Sequence, residues 1–257
     1  MKSLDTILYD GRLGRIGTFV CPAWHPHFPD TGPIGKTIIV FPRTSVTITH
    51  LGQQPVVANP NVVMFYNPGQ RYLRGKLSEE GDICDWFGFD SRVVGEAMRP
   101  IDPTVEERWD KPFAFTNGPS TNALYLQQRL LVNALRRSQQ PDLLFIEEKM
   151  LTILQQAIQA RYEQERPSPK KSAKTKKDHK ELVAGVKTIL STRYQDALSL
   201  EALAKALYTS PFHLCRVFRQ ETGQTIHSYL NKLRLRASLE PVAARDVSLM
   251  QVRLNLG

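Results

Sequence analysis

The sequence predicts an α+β chain: an N-terminal β-barrel with a helical hairpin, followed by an all-α unit built on two short, tightly joined helices. Three observations predict this. Between about residues 10 and 115, short apolar and β-branched runs alternate with Pro, Gly and Asn, the spacing of a sandwich or barrel. From 119 to 163 the apolar residues change to helical spacing. From Ser199 to Gly223, two short helical patterns flank a break. A length of 257 residues, 41% of them hydrophobic, allows about two domains with cores of their own.

The β region is read from its punctuation. TIIVFPRTSVTITH (37–50) is rich in β-branched residues and is interrupted by Pro42. PVVANPNVVMFYNPGQ (55–70) gives two short runs around Asn59-Pro60, then a Pro68-Gly69 turn. Gly81-Asp82 precedes ICDWFGF (83–89), a further strand. No helix is expected between these strands.

In the hairpin, Leu124, Leu131 and Leu135 share a face of the first helix, and Pro141-Asp142 breaks it. Leu144, Leu151, Leu154 and Ile158 then stripe a second helix. The stripes serve either to cover the barrel or to meet a partner, and a wide stripe does both.

Further on, Leu182, Val186 and Leu190 mark a packing helix. Leu200, Leu203, Ala204 and Leu207 recur at i, i+3, i+4, i+7, with Ser199 placed as N-cap and Glu201 in the first turn. Tyr208 and Thr209 break the pattern. Ser210-Pro211 opens a second helix, which Gly223 stops. On that helix Leu214, Val217 and Phe218 share an inner face; Phe212, Arg216 and Arg219 lie opposite, with Cys215 on the flank. Such a pair is either a helix-turn-helix whose second helix enters a DNA major groove or a helical hairpin that only packs. In the first case an arginine takes guanine O6 and N7 together and a phenylalanine meets a thymine methyl.

Charge separates the two halves. Residues 1–164 hold 17 Lys and Arg against 17 Asp and Glu, so the remainder carries the whole net +9. The stretch 166–180 has seven basic residues and one acid; it reads as a solvated linker that also attracts phosphate. No apolar run approaches the roughly 18 residues of a membrane span, and the N-terminus lacks a signal-peptide core. The three cysteines, at 21, 84 and 215, leave an odd count and no Cys-x-x-Cys, against a disulfide framework. A cytoplasmic location is the simplest account.

Cys21, His25, His27, His50 and Cys84 are of types that ligate zinc or iron. Pro22 and Pro26 place the first three in a loop, and no downstream Glu completes a set; buried thiols and hydrogen-bonded histidines are the alternative. No metal or other cofactor is expected. Glu79-Glu80 and Glu106-Glu107 read as solvated surface, and neither a phosphate-binding glycine loop nor a nucleophile elbow is present. The expectation is therefore a non-enzyme.

The Ser-x-x-His-Leu-x-Arg-x-Phe run at Ser210 to Phe218, Thr222-Gly223, Tyr229-Leu230 and Arg234-Leu235 resembles the DNA-binding domain of the AraC/XylS family of transcription regulators over about 75 residues. The resemblance implies base reading by Phe212, Cys215 and Arg216, with Ser210, His213 and Arg219 in the DNA-binding set. It further implies double-stranded DNA as partner, a homodimer made through the hairpin, contact with RNA polymerase and a possible small-molecule effector. The order Val40-Phe41-Pro42-Arg43, Asn59-Pro60-Asn61, Tyr66-Asn67-Pro68-Gly69-Gln70 and Cys84-Asp85-Trp86-Phe87 resembles the cupin-like sensory domains fused to some AraC-type regulators. The expected domains are a cupin-like β domain (1–118), a dimerisation hairpin (119–163), a basic linker (164–180) and the DNA-binding domain (181–257).

Beyond the first helix-turn-helix, Thr225 caps a longer helix bearing Ile226, Leu230, Leu233 and Ala237, which Pro241 ends or kinks. The family carries two helix-turn-helix units. Leu249, Val252 and Leu256 mark the first helix of a second unit, and the sequence stops before its recognition helix. The expectation is a regulator truncated there. The alternative is a dimerising, dominant-negative product without specific DNA binding.

Overall fold

A computed structural model describes residues 4–137, 143–164 and 173–244. The chain forms two compact units, Met1–Arg166 and Pro167–Gly257. The Pro141-Asp142 break, the first part of the basic stretch and the helix expected over 247–256 lie outside the described residues.

The first unit holds β1 (Asp5–Asp10), β2 (Gly14–Cys21), β3 (Thr37–Pro42), β4 (Val46–His50), β5 (Val56–Ala58), β6 (Val62–Tyr66), β7 (Tyr72–Lys76), β8 (Asp82–Phe89) and β9 (Asn117–Pro119). One sheet runs β1-β2-β8-β3-β6-β9 and the other β5-β4-β7, with every pairing antiparallel. Helices α1 (Ser91–Met98), α2 (Asn122–Arg136) and α3 (Leu143–Gln164) complete the unit.

Why the strands read as unbroken apolar runs follows from alternation. In β6, VVMFY, Val63 and Phe65 join a core with the helices, while Val62, Met64 and Tyr66 join a core between the sheets. In β8 the split is between Phe87 and Phe89 on the helix side and Cys84 and Trp86 on the inner side. Both faces of the central strands β3, β6 and β8 are buried, so a polar face that would betray the period is missing there.

Several expectations are corrected. The interruption of 37–50 at Pro42 stands, and what the sequence did not show is that its two strands belong to different sheets. After Pro42, which has no N–H to donate, the chain turns and the Arg43 and Thr44 amides go to the Ile83 carbonyl. The segment expected to be free of helices contains α1, started by Asp90, whose side chain accepts from the Arg92 N–H. A short 3-10 turn at Pro103–Glu107 follows. In α3 the inward set is Ile146, Met150, Ile153, Leu154, Ala157 and Ile158, whereas Leu144 is 63% exposed. The stripe is rotated from the expected one because Ile146, not Leu144, starts the buried i, i+4, i+7 series.

The second unit contains α4 (Ala173–Thr192), α5 (Leu200–Ala206), α6 (Pro211–Thr222) and α7 (Ile226–Ala244). Helix α4 begins inside the stretch read as a linker, so residues 173–180 are helical. Pro241 does not end α7, which continues to Ala244. Val186 and Leu190 of α4, Leu203 and Ala204 of α5, Leu214, Val217 and Phe218 of α6, and Tyr229 and Leu233 of α7 form one core.

Candidate nucleic-acid interface and interior cavity

Local chemistry builds the α5–α6 pair. The Ser199 hydroxyl accepts from the Ala202 N–H at 3.1 Å and starts α5. At its end the Tyr208 N–H donates to the Lys205 carbonyl (3.2 Å) and the Thr209 N–H to the Ala204 carbonyl (3.0 Å). These two bonds are a Schellman cap, which needs a left-handed residue. Tyr208 supplies it, with φ 52°, where glycine is usual. Two residues on, the Ser210 hydroxyl accepts from the His213 N–H at 3.2 Å and Pro211 opens α6. Gly223 ends the helix at φ 73°.

The faces of α6 separate as expected for the side chains that are described. Leu214, Val217 and Phe218 are fully buried, and the Phe218 ring meets Tyr229 edge-on at 5.7 Å. Cys215, Arg216 and Arg219 are exposed. Among the described residues Arg216 makes no carboxylate contact; its Nη2 lies 3.2 Å from His213 Nδ1. The His213 ring in turn lies edge-on to buried His179 of α4, centroids 5.8 Å apart. Phe212 stands on the same helix; its side chain lies outside the described residues. A guanidinium in water that is not held by a carboxylate is free to rotate onto an external acceptor, which an ion-paired one is not.

The first unit holds a cavity of about 430 Å³ between the sheets, open to solvent on one side and walled by Phe19, Val40, Ile48, Met64, Tyr66 and Trp86 among others. Asp82 and Cys84 form part of its lining. Behind them the Arg74 guanidinium is held on all sides: Nε is 2.7 Å from Asp82 Oδ2, Nη1 donates to the Phe28 carbonyl at 2.8 Å, and Nη2 donates to Thr31 Oγ1 (3.0 Å) and Tyr72 Oη (2.7 Å). Burial raises the Asp82 carboxyl above its usual range against the opposing pull of Arg74. Burial also pushes the Cys84 thiol well up and the Tyr72 phenol to about 12. Thiol and phenol are therefore neutral at pH 7, and the inter-sheet part of the cavity is apolar around one internally compensated ion pair, while Asp5, Arg15 and Lys36 add charged groups to its lining.

The candidate metal ligands do not converge. Cys21 and Cys84 belong to the inter-sheet core. His27 donates its backbone N–H to His25 Nδ1 at 3.2 Å. His50 is buried elsewhere, its ring 5.3 Å from Tyr66 and 6.1 Å from Tyr72. Among the described residues no three His, Cys, Asp or Glu side chains stand together as a metal site. The described residues include no helix long and apolar enough to cross a membrane.

Sequence reasoning missed a buried polar cluster on the other face of β8. Asp85, fully buried, accepts from Thr18 Oγ1 at 2.9 Å and meets Arg129 Nη1 of α2 at 2.6 Å. Arg136, seven residues along α2, reaches Thr18 Oγ1 at 2.8 Å and Asp85 Oδ1 at 3.4 Å. The available signal was Arg129 and Arg136 on one helix face at i, i+7, opposite an acid inside an apolar strand.

Two short helices, a capped two-residue connection and a second helix with an outward arginine define a helix-turn-helix DNA-binding unit. Residues 190–231 match the family of bacterial regulatory helix-turn-helix proteins, AraC family, and the chain is a DNA-binding transcription regulator carrying that domain. Solved structures similar to the chain include ToxT from Vibrio cholerae (9% identity, TM-score 0.41, covering 96% of this chain and 90% of that one). Another is the AraC-like transcriptional activator CuxR (11%, 0.38, 86% and 75%). A third is unsaturated fatty acid bound wild-type ToxT from Vibrio cholerae strain SCE256 (10%, 0.40, 95% and 86%). No curated protein matches.

Proposed function

We propose that the chain binds specific duplex DNA by placing α6 in the major groove. Arg216 reads a base, Phe212 adds an apolar contact to the DNA, Cys215 is a further base-reading position, Arg219 holds phosphate, and Ser210 and His213 fix the entry of the helix. The observation that carries this reading is the split of α6 into a fully buried inner face and an outer face where, among the described residues, Arg216 has no carboxylate to hold it. Footprinting on DNA from upstream of the chain's own gene tests it: one protected window is expected, and uniform cleavage at saturating protein refutes it.

The reading extends to a homodimer through α2. Its inner face packs on the sheet, while Leu126 (44% exposed) and Leu130 (60%) stand one turn apart on the outside. Light scattering at tens of micromolar should give twice the chain mass, and Leu130→Glu should halve it. A monomer mass for the unaltered chain sinks this part. The interior cavity is the proposed effector site, acting by preferring one of two states of the protein; contact with RNA polymerase follows DNA binding. An effector that fills the cavity should raise the melting temperature, and Met64→Trp, which occupies that space, should abolish the rise. The chain is read as a binder and not an enzyme, because the buried polar groups at the inner wall of the cavity, Asp82 and Tyr72, are tied to Arg74.

A further inference from the structure

Tyr208 is doubly out of place. It is the one non-glycine residue with positive φ among the described residues, and at 99% exposure its side chain packs on none of them. A β-carbon in the left-handed region is disfavoured for any residue but glycine, and here no buried contact offsets that cost. Strain kept without an internal gain directs attention to an external partner. We infer that Tyr208, with Lys205 one turn earlier, is a clamp on the DNA phosphate backbone; the inference rests on the proposed insertion of α6.

The geometry follows from the connection. Only Thr209 separates Tyr208 from the Ser210 cap, and the N-terminal residues of a recognition helix are the ones that reach base edges. A helix with its side chains is roughly 10–12 Å across and the major groove about 12 Å wide. The residues just before the inserted end therefore pass beside a groove wall, which is phosphate and sugar. Lys205 is exposed in the last turn of α5 and makes no ion pair among the described residues. The Schellman cap uses only main-chain atoms of Lys205 and Tyr208, leaving both side chains available. An ammonium and a phenol are both regular phosphate donors. Such contacts position the protein and carry no base information.

The test is a pair of measurements on the full chain: melting temperature, and anisotropy of a native upstream duplex and a shuffled one across salt. Tyr208→Gly should raise the melting temperature by roughly 4–8 °C through relief of the backbone. The same change should weaken binding to both duplexes about five-fold, leaving their ratio intact. Tyr208→Phe keeps the strain and the ring, so it should weaken binding with no change in melting. Lys205→Ala should lower the slope of log affinity against log salt by about 1. Unchanged or tighter DNA binding by Tyr208→Gly overturns the inference, and so does lost transcription at unchanged DNA affinity, which would make polymerase the partner. If the unaltered chain binds neither duplex, the DNA reading itself fails; if it binds and Arg216→Ala loses the preference while Tyr208→Gly binds normally, only the clamp fails.

Discussion

Replacing Asp85 by alanine destabilises the first unit by about 3–5 kcal/mol, the scale for removing one partner of a buried ion pair. The carboxylate is fully buried and Arg129 nearly so, their side chains 0% and 5% exposed in the pair at 2.6 Å. Without Asp85, the guanidinium stays inside with its charge uncompensated, and Thr18 Oγ1 loses its acceptor. Domains are stable by only about 5–15 kcal/mol, so this is a large fraction. Because Arg129 and Arg136 both belong to α2, the helix should loosen from β8 along with the general loss. Asp85→Asn keeps the shape and an acceptor for Thr18 but removes the charge, and should fall between the two. Urea unfolding of the three proteins, monitored on the sheet signal, measures it. A shift under 1 kcal/mol for Asp85→Ala would show that the cluster does not hold the helix.

Phe218→Ala should cost the second unit about 3–5 kcal/mol, the usual range for emptying a buried phenylalanine site. Phe218 is fully buried where α6 packs on α7, edge-on to Tyr229, and Leu214 and Val217 share its face. The cavity left there is bounded by helices, which close poorly over a lost ring. Helical signal of the second unit should melt well below that of the parent. The sheet transition of the first unit should not move, since the two units have separate cores. DNA binding should fall with the folded population, equally for native and shuffled duplexes. A single transition displaced as a whole would contradict the division into two units.

The second unit was legible because its signals are local. Ser199 and Ser210 each cap the helix they precede, Pro211 and Gly223 mark the bounds of α6, and the inner triad Leu214, Val217, Phe218 follows from a period that no tertiary contact overrides. What stayed hidden there was the conformation of Tyr208, since nothing in a tyrosine announces a left-handed residue; only the fixed need of the two-residue connection does. In the first unit the strands within 37–50, 55–70 and 83–89 were visible as apolar runs, whereas β7 was not, and the partners of all of them stayed hidden. Pairing β2 with β8 joins residues about 67 apart, as Thr18 and Asp85 show, and no local pattern encodes such a pairing. Helix α1 was absorbed into the β reading because its apolar residues, Val93, Val94 and Met98, are too few to show a period. The Arg74–Asp82 and Asp85–Arg129 pairs escaped for the same reason as the pairing: each joins residues that only the fold brings together.

The central claim, that one exposed arginine on α6 confers sequence preference, is tested most directly by fluorescence anisotropy of the full chain. A labelled duplex from upstream of its own gene is compared with a shuffled duplex of equal length, for the parent and Arg216→Ala, at several salt concentrations. The account predicts that the parent prefers the native duplex. Arg216→Ala should lose about 1–3 kcal/mol of that preference, the value of one bidentate base contact, while keeping salt-dependent binding to both duplexes. Equal affinity of the parent for the two duplexes, or a preference that survives Arg216→Ala unchanged, would contradict it.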